Sequence, residues 1–384
     1  MPLADLDKIK TIVNEAVLEF NNHNSDRSYQ LCVELMDQIP LRFLNSISNV
    51  FLMKGSIQIH KGYPDEGKEN LKNAEILFPQ NSQISALIGF QYAQADDLKK
   101  AYENLHKAEK IGIDNPIIND LRKYLYRLEN DRIPGIFFNS MPKSGTLSIW
   151  GALYRGLEVP RIFISNNVKS LEYEIVDPKK AKRLVQGNCV AQGHIAAKNI
   201  NLFLLEKAGV KKIVVHVRDP RQAMLSWIHY IENLHNTKSL PVLDYPLCDH
   251  YFSMTHEQQI VCKAYFNKPF DQKIDQHIEQ YYPLLLQWLS GWIAAEENPK
   301  TSLKIKFTYF DDYKKNPEKF YSRILSFFDI DIKRFDMTES NLQRKSHYRS
   351  GAINEFRNVF TPVQMKRLNT MTPDRIFDKF QWEK

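Results

Sequence analysis

Cysteine is scarce in this chain. The four in 384 residues, Cys32, Cys189, Cys248 and Cys262, form no CxxC pair. Such scatter excludes a disulfide framework and a cysteine-based zinc site. Long apolar runs are missing as well: none approaches the roughly 18 residues that span a bilayer, so no transmembrane segment is expected. Residues 1–7 carry no basic stretch ahead of an apolar core, which gives no sign of a secretory signal and makes the cytoplasm the expected location. Charge of one sign is not in large excess. Lys and Arg number 52 against 45 Asp and Glu, a net +7, which suits a polyanionic ligand but is too mild for nucleic acid, and no arginine-rich or aromatic-basic module occurs. Disorder is excluded by 43% hydrophobic residues. The length is comfortable for two domains. Rings are what the chain has in quantity, with 22 Phe and 18 Tyr; they fill a core or line a cleft.

Residues 1–130 read as helix after helix with a period of 34 residues. The run 69–75 returns at 103–109, Gly55 maps to Gly89, Gly67 to Ala101, and Leu71 to Leu105. Small residues suit close approach of paired helices, leucines fill the space between them, and Pro79 falls where a unit would close. This pattern resembles the tetratricopeptide repeat (TPR), with units at 48–81 and 82–115, a degenerate hairpin at 5–40 and a capping helix at 115–130. An all-α TPR-like domain over 1–130 is therefore expected. It either caps the rest of the chain or docks a protein partner or polymeric substrate.

The texture changes after Pro134. Residues 135–140 form a short apolar run bounded by turn formers, a plausible buried strand. It leads into Met141, Pro142, Lys143, Ser144, Gly145 and Thr146, and Leu147 to Tyr154 carry helical spacing. A glycine turn between strand and helix aims several N–H groups at one point, beside the positive end of the helix dipole. With Lys143 added, such a nest binds phosphate-like anions. The Walker pattern GxxxxGK[ST] is absent, because the lysine precedes the glycine. Further on, the β-branched run 211–217 reads as a parallel strand ending in Arg218. Asp219 is a natural N-cap and Pro220 fits the first helical position. Arg218 thus falls at the carboxyl end of a strand, where open α/β sheets bind ligands, with Ser226 about two turns into the next helix. Guanidinium plus hydroxyl suits a phosphate monoester.

These segments together resemble the sulfotransferase family. Lys143, Ser144, Gly145 and Thr146 are similar to its 5′-phosphosulfate loop, and Arg218 to Arg221 with Ser226 are similar to its 3′-phosphate motif. A third match, 348–361, resembles the family's C-terminal segment, and 310–317 with a helix at 320–328 resembles its last strand exit. The resemblance covers 134–365 and implies a parallel, P-loop-like α/β sheet flanked by helices over 134–384. It implies 3′-phosphoadenosine 5′-phosphosulfate (PAPS) as donor and no metal. Lys143, Ser144, Gly145, Thr146, Leu147, Ser148, Arg218, Ser226, Arg349, Ser350 and Gly351 would hold the donor. Leu147, Ser148, Ser350 and Phe356 depart from the family pattern. His194, after a short strand and Gly193, resembles the strand-end histidine that serves as general base, so Lys143 and His194 are the expected catalytic pair. An imidazole near its ordinary 6.5 suits that task. Gln192 stands where some relatives carry lysine, and His216, His229, His235, His250 and His256 read as structural.

Residues 236–282 are ring-rich (Tyr245, His250, Tyr251, Phe252, Tyr265, Phe266, Phe270, Tyr281, Tyr282) and either wall a substrate site or pack onto the core. They and the repeats motivate a glycan or glycoconjugate as acceptor. Rival readings are a P-loop-type kinase or nucleotide-binding enzyme, and a TPR adaptor with a degenerate nucleotide domain.

Overall fold

The computed structural model describes residues 64–77, 82–95, 97–112, 116–165, 174–236, 265–338 and 352–384, with scattered helical residues between 11 and 58. The chain divides into two units: 1–133 with 158–161 and 344–346, and 134–157 with 162–343 and 347–384.

Among the described residues of the first unit four complete helices follow one another, α1 (Pro64–Leu77), α2 (Ser82–Gln94), α3 (Leu98–Ile111) and α4 (Pro116–Asn130). Asp97 starts α3 by accepting from the Lys100 N–H. The small residues sit where backbones meet. A methyl group on Gly55 would stand 2.8 Å from the Gly67 carbonyl oxygen, and one on Gly89 3.3 Å from that of Ala101. Leu71 and Leu105 are both buried in the core these helices share.

The second unit is built on a sheet with strand order β2-β3-β1-β4-β5. The strands are β1 (Ile136–Ser140), β2 (Arg161–Phe163), β3 (Val190–Gly193), β4 (Lys212–Val217) and β5 (Lys304–Tyr309). β1 runs parallel to β3 on one side and to β4 on the other, and β4 is parallel to β5. Every residue of β1 is buried, as is β4 beyond Lys212. Strands covered on both faces need such unbroken apolar runs.

The connecting helices are α5 (Thr146–Gly156), α6 (Pro178–Val185), α7 (Asn199–Ala208) and α8 (Pro220–Asn236). The ring-rich stretch ends in α9 (Phe270–Gln280) and leads into α10 (Tyr282–Glu297), with α11 (Phe310–Lys315) and α12 (Pro317–Phe327) beyond β5. The chain ends in α13 (Phe356–Val359), α14 (Pro362–Met371) and α15 (Asp374–Phe380). Local chemistry explains several starts. Asp177 caps α6 ahead of Pro178, Asn316 caps α12 ahead of Pro317, and Thr361 with Gln364 closes a capping box ahead of Pro362. Of the ring-rich stretch, Tyr265, Tyr281 and Tyr282 are buried in the sheet's main core, with Phe266 and Phe270 packed against it. These rings pack rather than wall a site; Tyr245, His250, Tyr251 and Phe252, like His256, lie outside the described residues. The chain crosses from β3 to β4 over β1, so strand order reverses at β1. The crevice outside the carboxyl ends of β3, β1 and β4 is where such sheets place ligands.

Candidate active site

Each of those three strand ends delivers one of the residues expected from the sequence. The β1 end turns at once into the loop 141–145. Lys143 and Gly145 both hold positive φ, 62° and 82°, the backbone bends that turn successive N–H groups inward. Phe310 closes on the glycine so tightly that a methyl there would lie 3.0 Å from Cε2 of the ring. The Ser144 hydroxyl donates to the Met141 carbonyl (2.5 Å), and the Thr146 and Ser140 hydroxyls pair at 2.8 Å. The loop's own hydroxyls are thus engaged within the protein, and what the loop presents is backbone N–H at the start of α5. Leu147 and Ser148 occupy the first turn of that helix. The Lys143 ammonium rests over the Tyr230 ring, 3.9 Å from its centroid.

His216, inside β4, pins this loop from beneath. Its Nε2–H donates to the Ser144 carbonyl and its Nδ1 accepts from the Thr308 hydroxyl, each at 2.9 Å. Burial drives the imidazole down to about 3, with the Arg218 charge pushing the same way. It is a neutral structural histidine.

His194 follows the last residue of β3 and is held on every side. Its Nδ1–H donates to the Ser140 carbonyl at 2.6 Å, which leaves Nε2 as the acceptor. The Gln192 amide lies 3.3 Å from Nε2 and donates to it. The backbone N–H of His194 donates to Glu174 Oε2 (3.1 Å), and its carbonyl accepts from the Trp288 indole (3.0 Å). Trp292 braces Ile195 in the same way. Burial lowers the imidazole from its ordinary value; the Ser140 bond opposes that and the Lys143 charge reinforces it. Near neutral pH the ring is therefore uncharged, with a lone pair on Nε2.

Arg218 leaves β4 and ties the loop to the C-terminal segment. Nη1 donates to the Lys143 carbonyl (2.8 Å) and Nη2 to the Ala352 carbonyl (2.7 Å), with the guanidinium 4.1 Å over the Phe310 ring. Asp219 caps α8 by accepting from the Arg221 N–H. Arg221 faces away from the crevice: buried, it clamps Asp219, Asn369 and the Glu383 carbonyl. Gln222, Ser226 and Tyr230 recur every four residues and so share one face of α8. Gln222 accepts from the Phe356 N–H, while Tyr230 carries Lys143. Ser226 thus lies between the C-terminal segment and the loop lysine. Arg349, Ser350 and Gly351 lie outside the described residues, and the chain re-enters at Ala352 on Arg218.

Sequence reasoning misses Glu174, Tyr230 and the two tryptophans. Tyr230 could be found one helical turn past Ser226. Glu174 has no local signal: it reaches His194 because the chain returns from β2 through a bridge between Ser165 and Val176. Burial pushes its carboxyl up to about 7, against the bonds from Ser165 and His194 and the charge of Lys180.

Residues 134–378 match the family model described as the sulfotransferase domain. No curated protein matches the chain. Among solved structures, mouse sulfotransferase SULT7A1 complexed with PAP shares 16% identity, covering 62% of this chain and 81% of that one, at a TM-score of 0.39. An O-GlcNAc transferase mutant from Thermobaculum terrenum shares 12%, covering 56% of this chain and 46% of that one, at 0.28. Both superpositions are too loose to assign this chain a ligand.

Proposed function

The chain belongs to the sulfotransferase domain family, and on that footing we propose that it transfers a sulfuryl group from PAPS to an acceptor hydroxyl or amine by in-line displacement. One observation carries the site assignment: Lys143, His194 and Arg218 come from three adjacent strand ends at the point where strand order reverses. The double positive φ at Lys143 and Gly145, the ring against Gly145 and the helix start fit a doubly charged phosphate better than any neutral ligand.

Lys143, the N–H groups at 144–147 and Ser148 would hold the 5′-phosphosulfate. Arg218 and Ser226, with Arg349, Ser350 and Gly351, would hold the 3′-phosphate. Bound PAPS supplies an electrophilic sulfur and a phosphate leaving group. His194 Nε2 takes the proton from the acceptor as its oxygen or nitrogen bonds to sulfur, while the bond from sulfur to the bridging phosphate oxygen breaks and its electron pair stays with the phosphate. The fixed Nδ1–H to Ser140 keeps Nε2 as the basic atom. Lys143 and the amide nest meet the charge growing on the phosphate, a contribution of about 3 kcal/mol for one such donor. Gln192, which donates to Nε2 here, must yield that position to the acceptor.

Thermal shift tests the donor site. 3′,5′-Bisphosphorylated adenosine should raise the melting temperature without magnesium. A response to ATP with magnesium alone would point to a kinase, and no response to either nucleotide to an adaptor. The base is tested by His194→Ala, which should abolish transfer of labelled sulfate while nucleotide affinity stays within about two-fold; retained turnover removes His194 from the role.

Residues 1–130 form a TPR-like array that docks a partner, supported by the 34-residue period and the matching close approaches at Gly55 and Gly89. The acceptor is a glycan or glycoconjugate, supported by that array and by the rings between 236 and 264. The location is the cytoplasm, in keeping with scattered cysteines; among the described residues no helix is long and apolar enough to cross a membrane. Labelled donor incubated with fractionated cell extract decides the acceptor: label confined to small lipophilic molecules overturns the glycan assignment.

A further inference from the structure

α6 joins β2 to β3, and α7 joins β3 to β4, both moving the same way across the sheet. Their starts are tied where Asn201 Oδ1 accepts from the Val176 N–H (3.0 Å), and their ends meet where Gly209 lies against Val185. They are therefore parallel neighbours in one layer. Ala181 and Leu184 of α6, and Asn201 and Leu205 of α7, point into the core. Helical spacing then turns Lys179 and Lys182 outward on α6, and Ile200, Phe203 and Lys207 outward on α7, all of them exposed.

This outer surface brings large exposed apolar side chains and lysines together on one face. Ile175, Val185, Ile200 and Phe203 are large apolar side chains between 46% and 55% exposed. Around them stand Lys179, Lys182, Lys207 and Lys211, all exposed, with Lys207 Nζ 5.5 Å from the Phe203 ring centroid. Two acids stand near the face, Asp177 at the start of α6 and Glu206 beside Lys211, against the four lysines. Asp177 accepts from the Lys179 and Lys180 N–H groups, and Glu206 from Thr301 and Ser302.

We infer that the outer face of α6 and α7 docks this chain on an anionic lipid surface. A second copy is a poor occupant, since two such faces would set lysines against lysines. A soluble polyanion would satisfy the lysines and leave Ile200 and Phe203 in water. A bilayer surface rich in acidic headgroups takes both, the rings and aliphatics entering the interface and the lysines meeting the headgroups. The inference does not depend on the sulfuryl-transfer reading. It does place the lipid surface beside the crevice, because Ile175 follows Glu174 and α7 begins shortly after His194.

The test is co-sedimentation of the full chain with phosphatidylcholine vesicles, with and without roughly a third phosphatidylserine. Binding should require the acidic lipid and weaken as salt rises. Lys179→Gln with Lys182→Gln should reduce the partition coefficient about 25-fold, roughly five-fold for each charge at the surface. Phe203→Ser should reduce it several-fold. All three side chains are exposed, so an unchanged melting temperature and unchanged nucleotide binding separate lost docking from lost folding. Binding equal on neutral and acidic vesicles, no binding at all, or indifference to both sets of substitutions overturns the proposal. So does capture by a sulfated polysaccharide that competes with vesicles and ignores Phe203→Ser.

Discussion

Glu174→Gln isolates the cost of the carboxyl buried behind the base. In the native protein that carboxyl titrates near 7 in place of its ordinary 4.5, chiefly because burial disfavours its charge. A raised native value means that folding favours the protonated form. Below pH 4.5 both native and unfolded chains are protonated and there is no penalty. As pH climbs from 4.5 to 7 the unfolded chain ionises first, so stability falls, and above 7 the full penalty persists. The rise corresponds to about 3 kcal/mol. Glutamine keeps an oxygen for the His194 N–H and offers its amide to the Ser165 hydroxyl, so the geometry survives without the charge. The variant should match the wild type near pH 4.5 and melt several degrees higher at pH 8, at roughly 2–4 °C per kcal/mol for a domain of this size. Turnover should persist, because the His194 backbone stays anchored. Thermal denaturation across pH 4.5 to 8 is the assay. Parallel pH profiles for the two proteins, or a less stable variant at pH 8, would refute the idea that this carboxyl is held against its charge.

Two further substitutions probe the anion loop. Gly145→Ala places a side chain at φ 82° and 3.0 Å from the Phe310 ring; the free loop should relax out of this bend, and restoring it on binding at about 1–2 kcal/mol should lower nucleotide affinity roughly five- to thirty-fold by calorimetry. Arg218→Lys leaves one ammonium where a fork now serves the carbonyls of both Lys143 and Ala352. Losing one charged hydrogen bond of about 1.5–3 kcal/mol should weaken 3′,5′-bisphosphorylated adenosine by ten-fold or more. Wild-type affinity in that variant would show that the fork is dispensable.

Local elements are legible because their signals are local. The strand at 136–140 and the helix start at Pro220 follow from apolar runs, caps and prolines within a few residues of where they act. The loop and Arg218 can be matched for the same reason: each is a short segment whose own backbone makes the site. The strand order cannot be read that way. Nothing near β1 states that β3 and β4 are its neighbours, and yet that adjacency is what gathers the loop, His194 and Arg218. By sequence, Arg221 belongs with Arg218 in one phosphate motif. The two diverge because Asp219, between them, caps α8 and turns Arg221 toward Asn369 and the C-terminus. The ring-rich stretch admits two readings from sequence, since burial depends on neighbours such as Thr372, whose hydroxyl pairs with Tyr282.

His194 makes the same point at the level of chemistry. Being a histidine after a strand and a glycine, it can be suspected of basicity, but its partners decide whether it has it. Ser140 fixes which nitrogen keeps the proton; Glu174 and Trp288 fix the peptide; burial and Lys143 keep the ring neutral. These partners come from β1, the return from β2 and α10, so none can be inferred from the residues flanking His194. The base is a property of the assembled sheet end: an imidazole transplanted with its local sequence alone would keep the side chain and lose the control over which nitrogen accepts the proton.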